Sequence, residues 1–333
     1  GKRTLSQWVK FANSLRLRLA IRVSMSAPDL ARAEVAKAMD ATAGGVLESA
    51  DETVAVSTES GYKNPLGTVN EGWGEVFMGA TMESVLVGYN DPRLIKYYSK
   101  AEGGDIKDEK GNLIIAERNK IAGTYKGVPQ GTGVTVKDEN RYRLHSKSTI
   151  TKQTDAILMT AAEVWFLRAE AALRGFTSEN VKDCYEKGIT VSCQQWGVNV
   201  GDYLTSDATP SDYVDAFEAK YDVKALIKVT PKWDGGASPE EQLERILTQK
   251  WIACYPEGYE AWTEQRRTGY PQLFKVFVNN SGGAIDTDIR IRRLPYPSDI
   301  QKNNPTQYSA LKKALGGEDN GGTRLWWDTG RNF

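Results

Sequence analysis

Residues Met159–Gly175 read MTAAEVWFLRAEAALRG and set Ala161, Ala162, Ala169, Ala171 and Ala172 around Val164, Trp165, Leu167 and Leu173 at helical spacing. Small side chains let a neighbouring helix come close, so this helix is expected to pack on more than one side. A second helical run, Ser178–Trp196 (SENVKDCYEKGITVSCQQW), follows after one turn containing Gly175. The two make a helical hairpin, and the rest of the chain is placed by reference to it.

The hairpin has the length of a tetratricopeptide repeat, about 34 residues, which points to a helical scaffold that binds. Residues Leu5–Met25 read as a long helix with Trp8, Phe11, Ala12, Leu15 and Leu19 on one face and Arg16, Arg18 and Arg22 lining others. Pro28 starts a second helix over Asp29–Ala41 that ends near Gly44-Gly45, so residues 1–47 form a helical pair. Residues 48–150 form a loop-rich insertion. Gly, Asn, Thr and Pro there punctuate short stretches such as Thr53–Ser57, Leu113–Ala116 and Gly133–Val136. Only Ala80–Val87 and the run from Asp91-Pro92 to Ala101 read as helical, with Asp91 as N-cap. Residues 151–271 return to tetratricopeptide-like helices. Ser238-Pro239-Glu240-Glu241 is a capping-box start, Leu243, Ile246, Leu247, Trp251 and Cys254 form an apolar stripe, and Pro256 breaks it. Tyr259, Trp262 and Arg266 lie on a partner helix that stops at Gly269-Tyr270-Pro271. Residues 272–333 read as irregular, apart from a strand-like alternation of Asp286, Asp288, Arg290 and Arg292 against Ile285, Ile289 and Ile291.

Charge and composition exclude several classes. The 43 Lys and Arg residues balance the 43 Asp and Glu residues, so no overall field draws the chain to nucleic acid or to an anionic membrane surface. No run of about 18 apolar residues is present. Cys184 and Cys193 share one predicted helix about 13 Å apart, too far for a bridge, and with Cys254 they read as buried thiols. His145 is the single histidine, which disfavours His-based zinc sites and catalytic triads; no metal or cofactor is implied.

Several longer motifs occur in order: Asn13–Arg18, Asn90–Leu94, AEVWFLRAEAALRG, Gln249-Lys250-Trp251, EAWTEQRRTGYP at Glu260–Pro271, RRLPYPSDIQKNNP at Arg292–Pro305, and Leu325-Trp326-Trp327-Asp328. With these motifs the chain resembles the SusD/RagB family of glycan-binding outer-membrane lipoproteins. The resemblance implies a mainly α fold, a right-handed superhelix of tetratricopeptide-like hairpins with a loop-rich remainder and short β-hairpins, as one SusD-like domain over 1–333. It implies a protein on the cell surface at the outer membrane that binds oligosaccharide or polysaccharide and delivers it, as a lid, to a SusC-like TonB-dependent transporter. It implies membrane attachment through a lipid anchor outside the sequence given, and no catalysis. Family members usually begin with a signal peptide, a lipid-bearing cysteine and further helices; Gly1 stands directly before a helix here, so a truncated chain is expected, with Gly1 a tag remnant.

Sugar binding calls for aromatic faces that stack on pyranose C–H groups, flanked by amide and charged hydrogen-bonding groups. The stretch from Gly61-Tyr62-Lys63-Asn64-Pro65 to Asn70-Glu71-Gly72-Trp73-Gly74 supplies that mixture, so Tyr62, Asn64 and Trp73 are candidate ligand-binding residues. Trp73 could equally plug the loop onto the helical body. Trp196 and Trp233, at a helix exit and in a loop, are the next candidates, whereas Trp8, Trp165, Trp251 and Trp262 fall on apolar stripes and read as core. Trp326-Trp327 reads as a tie between the terminal segment and the body. Glu163 with Glu170, and Glu257, Glu260 and Glu264, could in principle supply a glycosidase pair, but Arg168, Arg174, Arg266 and Arg267 nearby suggest ion-paired helix faces. Gly127–Gly133 precedes Val134-Thr135-Val136 rather than a helix, so it is no dinucleotide fingerprint. Asp105–Asn112 has Lys107 at a ligand position of a calcium loop and reads as a turn between short strands. A helical-repeat adaptor that binds only protein is the alternative function.

Overall fold

The computed structural model describes residues 3–132 and 140–333; the stretch expected as strand-like at Gly133–Val136 lies outside them. The Ala-rich helix is central. In chain order the elements are α1 (Leu5–Arg22), α2 (Pro28–Ala38), β1 (Val54–Val56), α3 (Pro65–Thr68), α4 (Ala80–Gly88), α5 (Leu94–Tyr97), β2 (Ile106–Lys107), β3 (Leu113–Ile115), β4 (Ala156–Met159), α6 (Ala161–Leu173), α7 (Val181–Gln195), α8 (Pro239–Ala253), α9 (Gly258–Thr268), α10 (Ser298–Asn303) and α11 (Pro305–Leu315). Helix α6 packs against α1, α7 and α8 at once, and Ala161, Ala162, Ala169 and Ala171 are all fully buried. A methyl group at Gly188 of α7 would sit 2.8 Å from the Phe166 ring, so α7 can lie this close to α6 only because that position has no side chain. The paired helices α1–α2, α6–α7 and α8–α9 make the tetratricopeptide-like body the sequence implies.

Local chemistry sets the helix ends. Thr160 Oγ1 accepts from the Glu163 amide at 3.0 Å to start α6, Asn180 caps α7, and Ser238 with Glu241 forms a reciprocal capping box at α8. Gly269 ends α9 at φ +80. Two-stranded antiparallel ladders join β1 to β4 and β2 to β3. The turn between β2 and β3 is closed by Asp108, whose Oδ1 accepts from the amides of Lys110 and Asn112, as the short-strand reading of that loop expects.

Four expectations are corrected. On α1 the buried residues are Ser14, Leu17, Ala20 and Ile21, while Trp8 is 52% exposed and Leu19 is also exposed. The apolar stripe misled because the inner side of α1 is partly ionic, with Arg18 and Arg22 reaching Glu163 and Glu260. Asp91 does not cap a long helix. Its carboxylate holds the fully buried Arg93 guanidinium at 2.6 and 2.9 Å, and the run ends at Tyr97 because Tyr98 turns extended and bridges to Ser148. The alternation at 285–292 is not a strand. Asp286 Oδ1 accepts from the amides of Asp288 and Ile289, and Arg290 adopts φ +63, which closes a turn. The segment after 271 is also less irregular than expected, since Asn304 caps α11 and Pro305 opens it.

The centre of the body is ionic as well as apolar. Lys250, almost wholly buried on α8, lies 3.0 Å from Glu260 and 3.2 Å from Glu264 of α9, and 3.9 Å from Glu163 of α6. Arg267 grips Glu170 through two 2.7 Å hydrogen bonds and Glu264 through two more, at 2.7 and 3.2 Å. These pairs tie α6, α8 and α9 together, and Arg18 and Arg22 join α1 to them through Glu163 and Glu260. The three cysteines are buried and unbonded.

Candidate functional site

The loop from Gly61 to Gly74 is held against the segment 148–154 by backbone-level contacts, and this holds its outer face in place. Asn64 caps α3 by accepting from the Leu66 amide at 3.0 Å while its Nδ2 donates to Thr154 O. Asn70 Nδ2 donates to the carbonyls of Ser148 and Ile150, and Glu71 accepts from the Lys152 amide. Gly67 touches the Thr151 backbone so closely that a Cβ there would lie 2.1 Å from the Thr151 carbonyl carbon. One wide helical turn, Val69–Trp73, follows α3, and Gly74 at φ +66 ends it. Trp73 then projects from the end of this turn with 61% of its surface exposed, and Tyr62 is 38% exposed. The plug reading of Trp73 does not match that exposure.

Asn64 behaves differently from its loop partners. It is 4% exposed, and both ends of its amide bind backbone, so it shapes the loop from beneath. Trp196 is half-buried in an aromatic cluster, its ring 4.8 Å from Tyr97 and 5.8 Å from Tyr255. Trp233 packs 5.1 Å from the Tyr185 ring. The structure therefore brings Tyr62, Asn64 and Trp73 into one loop and places Trp196 and Trp233 against the body. Tyr255 links the two regions, because its hydroxyl bonds Ser148 Oγ at 2.6 Å and the Ser148 carbonyl accepts from Asn70.

An open cleft of about 860 Å³ lies beside the residues that follow Trp196, lined among others by Asn90, Ile95, Lys96, Tyr125 and Asn199. Sequence reading missed it. The signal available was Asn90-Asp91-Pro92, where Asn90 takes a left-handed φ of +52 that Asn tolerates better than most residues. The cleft offers amide groups and a lysine beside apolar surface, a mixture suited to hydroxyl-rich ligands.

The glutamates considered for hydrolysis are engaged elsewhere. Glu163 is bound by Arg18, Glu170 by Arg267 and Arg174, and Glu260 by Arg22 and Lys250. Burial alone would raise the Glu264 carboxyl, but Arg267, Lys250 and Arg22 override it and hold it well below the usual carboxylate range. Burial pushes Glu257 upward, yet that group caps α9 by accepting from the Tyr259 and Glu260 amides. His145 is buried against Tyr142 and Phe217, and burial followed by the nearby Lys126 charge pushes it down to about 3. No cluster of three metal-ligating side chains occurs among the described residues, and no helix there is long and apolar enough to cross a membrane.

Compared with known proteins, the chain matches the family described as SusD-like, the Susd and RagB outer membrane lipoproteins, over residues 2–328. No curated protein sequence matches it. Among solved structures it is similar to a SusD homologue from Bacteroides vulgatus, with 53% identity and a TM-score of 0.90, covering 99% of this chain and 64% of that one. It is similar to a chitin-binding SusD homologue from Flavobacterium johnsoniae, with 37% identity and a TM-score of 0.86, covering 98% of this chain and 64% of that one. A SusD homologue from Bacteroides thetaiotaomicron shares 34% identity at a TM-score of 0.84, covering 99% of this chain and 67% of that one. The chain thus spans 64% of the length of the first two of these structures.

Proposed function

The chain belongs to the SusD-like family, and from that membership we propose that it binds glycans without cleaving them and delivers them to a TonB-dependent transporter at the outer membrane. The ligand stacks on Trp73, with Tyr62 beside it, and the glycan extends along the polar loop. One observation carries this reading: a 61% exposed indole on a loop whose backbone is fixed by Asn64, Asn70 and Glu71. A fixed aromatic face costs little conformational entropy when a sugar ring settles on it. Delivery without hydrolysis fits a scaffold whose central carboxylates are all held by arginine and lysine. Attachment to the outer membrane is through a lipid, as the family description implies.

We also infer that the four sequence segments make one folding unit. One apolar cluster takes Leu17 and Val35 from the first, Met78 and Tyr97 from the second, and Phe166 and Ile252 from the third. Asn332 bonds Glu240 and the Thr268 carbonyl, which ties the fourth to them.

Titration with soluble chitooligosaccharides and other oligosaccharides, followed by tryptophan fluorescence, tests the binding site. Trp73→Ala is expected to weaken binding by about 0.5–1.5 kcal/mol beyond the lost contact area, while the melting temperature stays near wild type. Wild-type affinity in a folded Trp73→Ala protein places the ligand elsewhere, and shortened oligosaccharide products from pure protein would refute the non-catalytic reading.

A further inference from the structure

A second cavity, of about 290 Å³, lies between the end of α9 and the turn at 288–292, and it is lined by five arginines, Arg266, Arg267, Arg290, Arg292 and Arg324, with Asp288 as the one acidic side chain in its wall. Their pairing is uneven. Arg267 is matched by Glu170 and Glu264 at 2.7 Å each. Arg292 and Arg324 share the single carboxylate of Asp328. Arg266 is almost wholly buried and has no carboxylate within ion-pair distance among the described residues; it lies over the Trp262 ring at 3.7 Å and the Trp327 ring at 5.0 Å and donates to the Arg292 carbonyl. Arg290 likewise has no acidic partner there. It is held by Gln130 Oε1 at 2.9 Å and by the Phe274 carbonyl, on a backbone fixed at φ +63.

Of the four arginines Arg266, Arg290, Arg292 and Arg324 in the wall, Arg292 and Arg324 share the carboxylate of Asp328, and Asp288, which is exposed, is the one acidic residue in the wall itself. An excess of arginine charge gathered around a part-enclosed cavity is uncommon, because like charges brought together out of water repel strongly. Burial above all, then Arg22 and Arg292, push Arg266 down to about 10 against the opposing pull of Asp328 and Glu260. An oxyanion relieves that excess, and the planar guanidinium fork matches carboxylate and sulfate geometry. We propose that this cavity is an oxyanion site that takes the carboxylate or sulfate group of an acidic sugar residue. The proposal deepens the glycan-binding reading and rests on it for the sugar, though not for the anion.

Calorimetric titration at constant ionic strength with sodium D-glucuronate, sodium sulfate and D-glucose, each alone, tests it. Glucuronate is expected to bind saturably in the millimolar range, sulfate to compete with it, and glucose not to bind at the same concentrations. Arg324→Gln keeps the Arg292–Asp328 pair and alters a side chain 38% exposed, so it is expected to fold and to weaken glucuronate binding at least tenfold. Arg290→Gln is expected to do the same, and Arg290→Lys to recover part of the loss. Absent glucuronate binding, equal binding of glucose, or unchanged affinity in both glutamine variants would overturn the proposal. Sulfate bound with glucuronate refused would overturn the sugar-borne anion. Trp73→Ala leaves glucuronate affinity unchanged if the two sites are separate, so failure of the stacking site is read independently of failure here.

Discussion

Replacing Lys250 by Met tests whether the buried charges at the centre of the helical body hold it together. Met fills nearly the same volume, so the change removes charge and hydrogen bonds rather than packing. Glu260 and Glu264 lose a partner at 3.0 and 3.2 Å, and Glu163 loses one at 3.9 Å, all three being buried. Arg18, Arg22 and Arg267 remain near them, so the carboxylates are left partly rather than wholly unmatched. Removing one partner from a buried ion pair costs about 3–5 kcal/mol. Unfolding entropy near the midpoint is about 2.1 cal/mol/K per residue, which for this chain gives roughly 0.7 kcal/mol/K, so the melting temperature should fall by about 4–7 °C.

The pH dependence gives the sharper check. Burial opposes ionisation of Glu260 and Glu264, but the neighbouring cations win and hold both below the usual range. A carboxyl whose folded pKa is lowered stabilises the protein fully above its unfolded pKa, about 4.3, and loses that contribution as the pH falls through the folded value. Without Lys250 the folded values rise, so the variant has less to lose. The gap in melting temperature between wild type and Lys250→Met, followed by circular dichroism, should be widest near pH 7.5 and should narrow below about pH 4. A gap under about 1 °C at pH 7.5, or one that widens on acidification, would refute the claim that these ion pairs stabilise the fold.

Gly188→Ala should lower the melting temperature through an overpacking cost of about 1–3 kcal/mol, despite the better helix propensity of Ala, because the new methyl meets the Phe166 ring at 2.8 Å; unchanged stability would show that α6 and α7 have room to separate. His145 stays neutral in the fold, with its pKa pushed down to about 3, so its contribution is full above the unfolded value near 6.5 and falls as the pH drops below it, by roughly 2 kcal/mol between pH 6.5 and 5. His145→Leu should therefore flatten the melting temperature over that range, and an equal slope in both proteins would contradict the burial. Calorimetric unfolding should show a single transition with equal van't Hoff and calorimetric enthalpies, and two resolved transitions would argue against one folding unit.

The helical body was legible because its signals are local. The alanines of α6, the capping box at Ser238 and Glu241, and the stop at Gly269 each act within a few residues, and each lies where the sequence places it. What failed was the assignment of faces wherever charge, rather than apolar surface, points inward. Trp8 is exposed near the start of α1, whereas Arg18 and Arg22 further along the helix reach toward the centre, where their partners Glu163 and Glu260 come from 145 and 238 residues away along the chain. Hydrophobic periodicity cannot register a pairing of that range. At Asp91 the local signal held in part: its Oδ1 accepts from the Arg93 amide just before α5, as a capping residue does, but the same carboxylate also holds the buried Arg93 guanidinium, which hydrophobic periodicity does not register.

The candidate site shows the converse. Tyr62 and Trp73 stand out in the sequence because glycine and asparagine flank them, and the exposure of both rings follows from local turns. Asn64 shares their composition signal, yet its amide is taken up by Leu66 and Thr154, the latter 90 residues away. Residue type therefore marks the loop but cannot separate the groups that face a ligand from those that hold the loop in place. That separation depends on what the segment 148–154 offers underneath, and there the contact is so close that Gly67 admits no Cβ. Gly67→Ala consequently tests the platform without touching its aromatic face. If the rigid backing matters, this substitution should lower oligosaccharide affinity although Trp73 and Tyr62 are intact, and normal affinity in a folded Gly67→Ala protein would show that the rings bind sugar without a fixed loop beneath them.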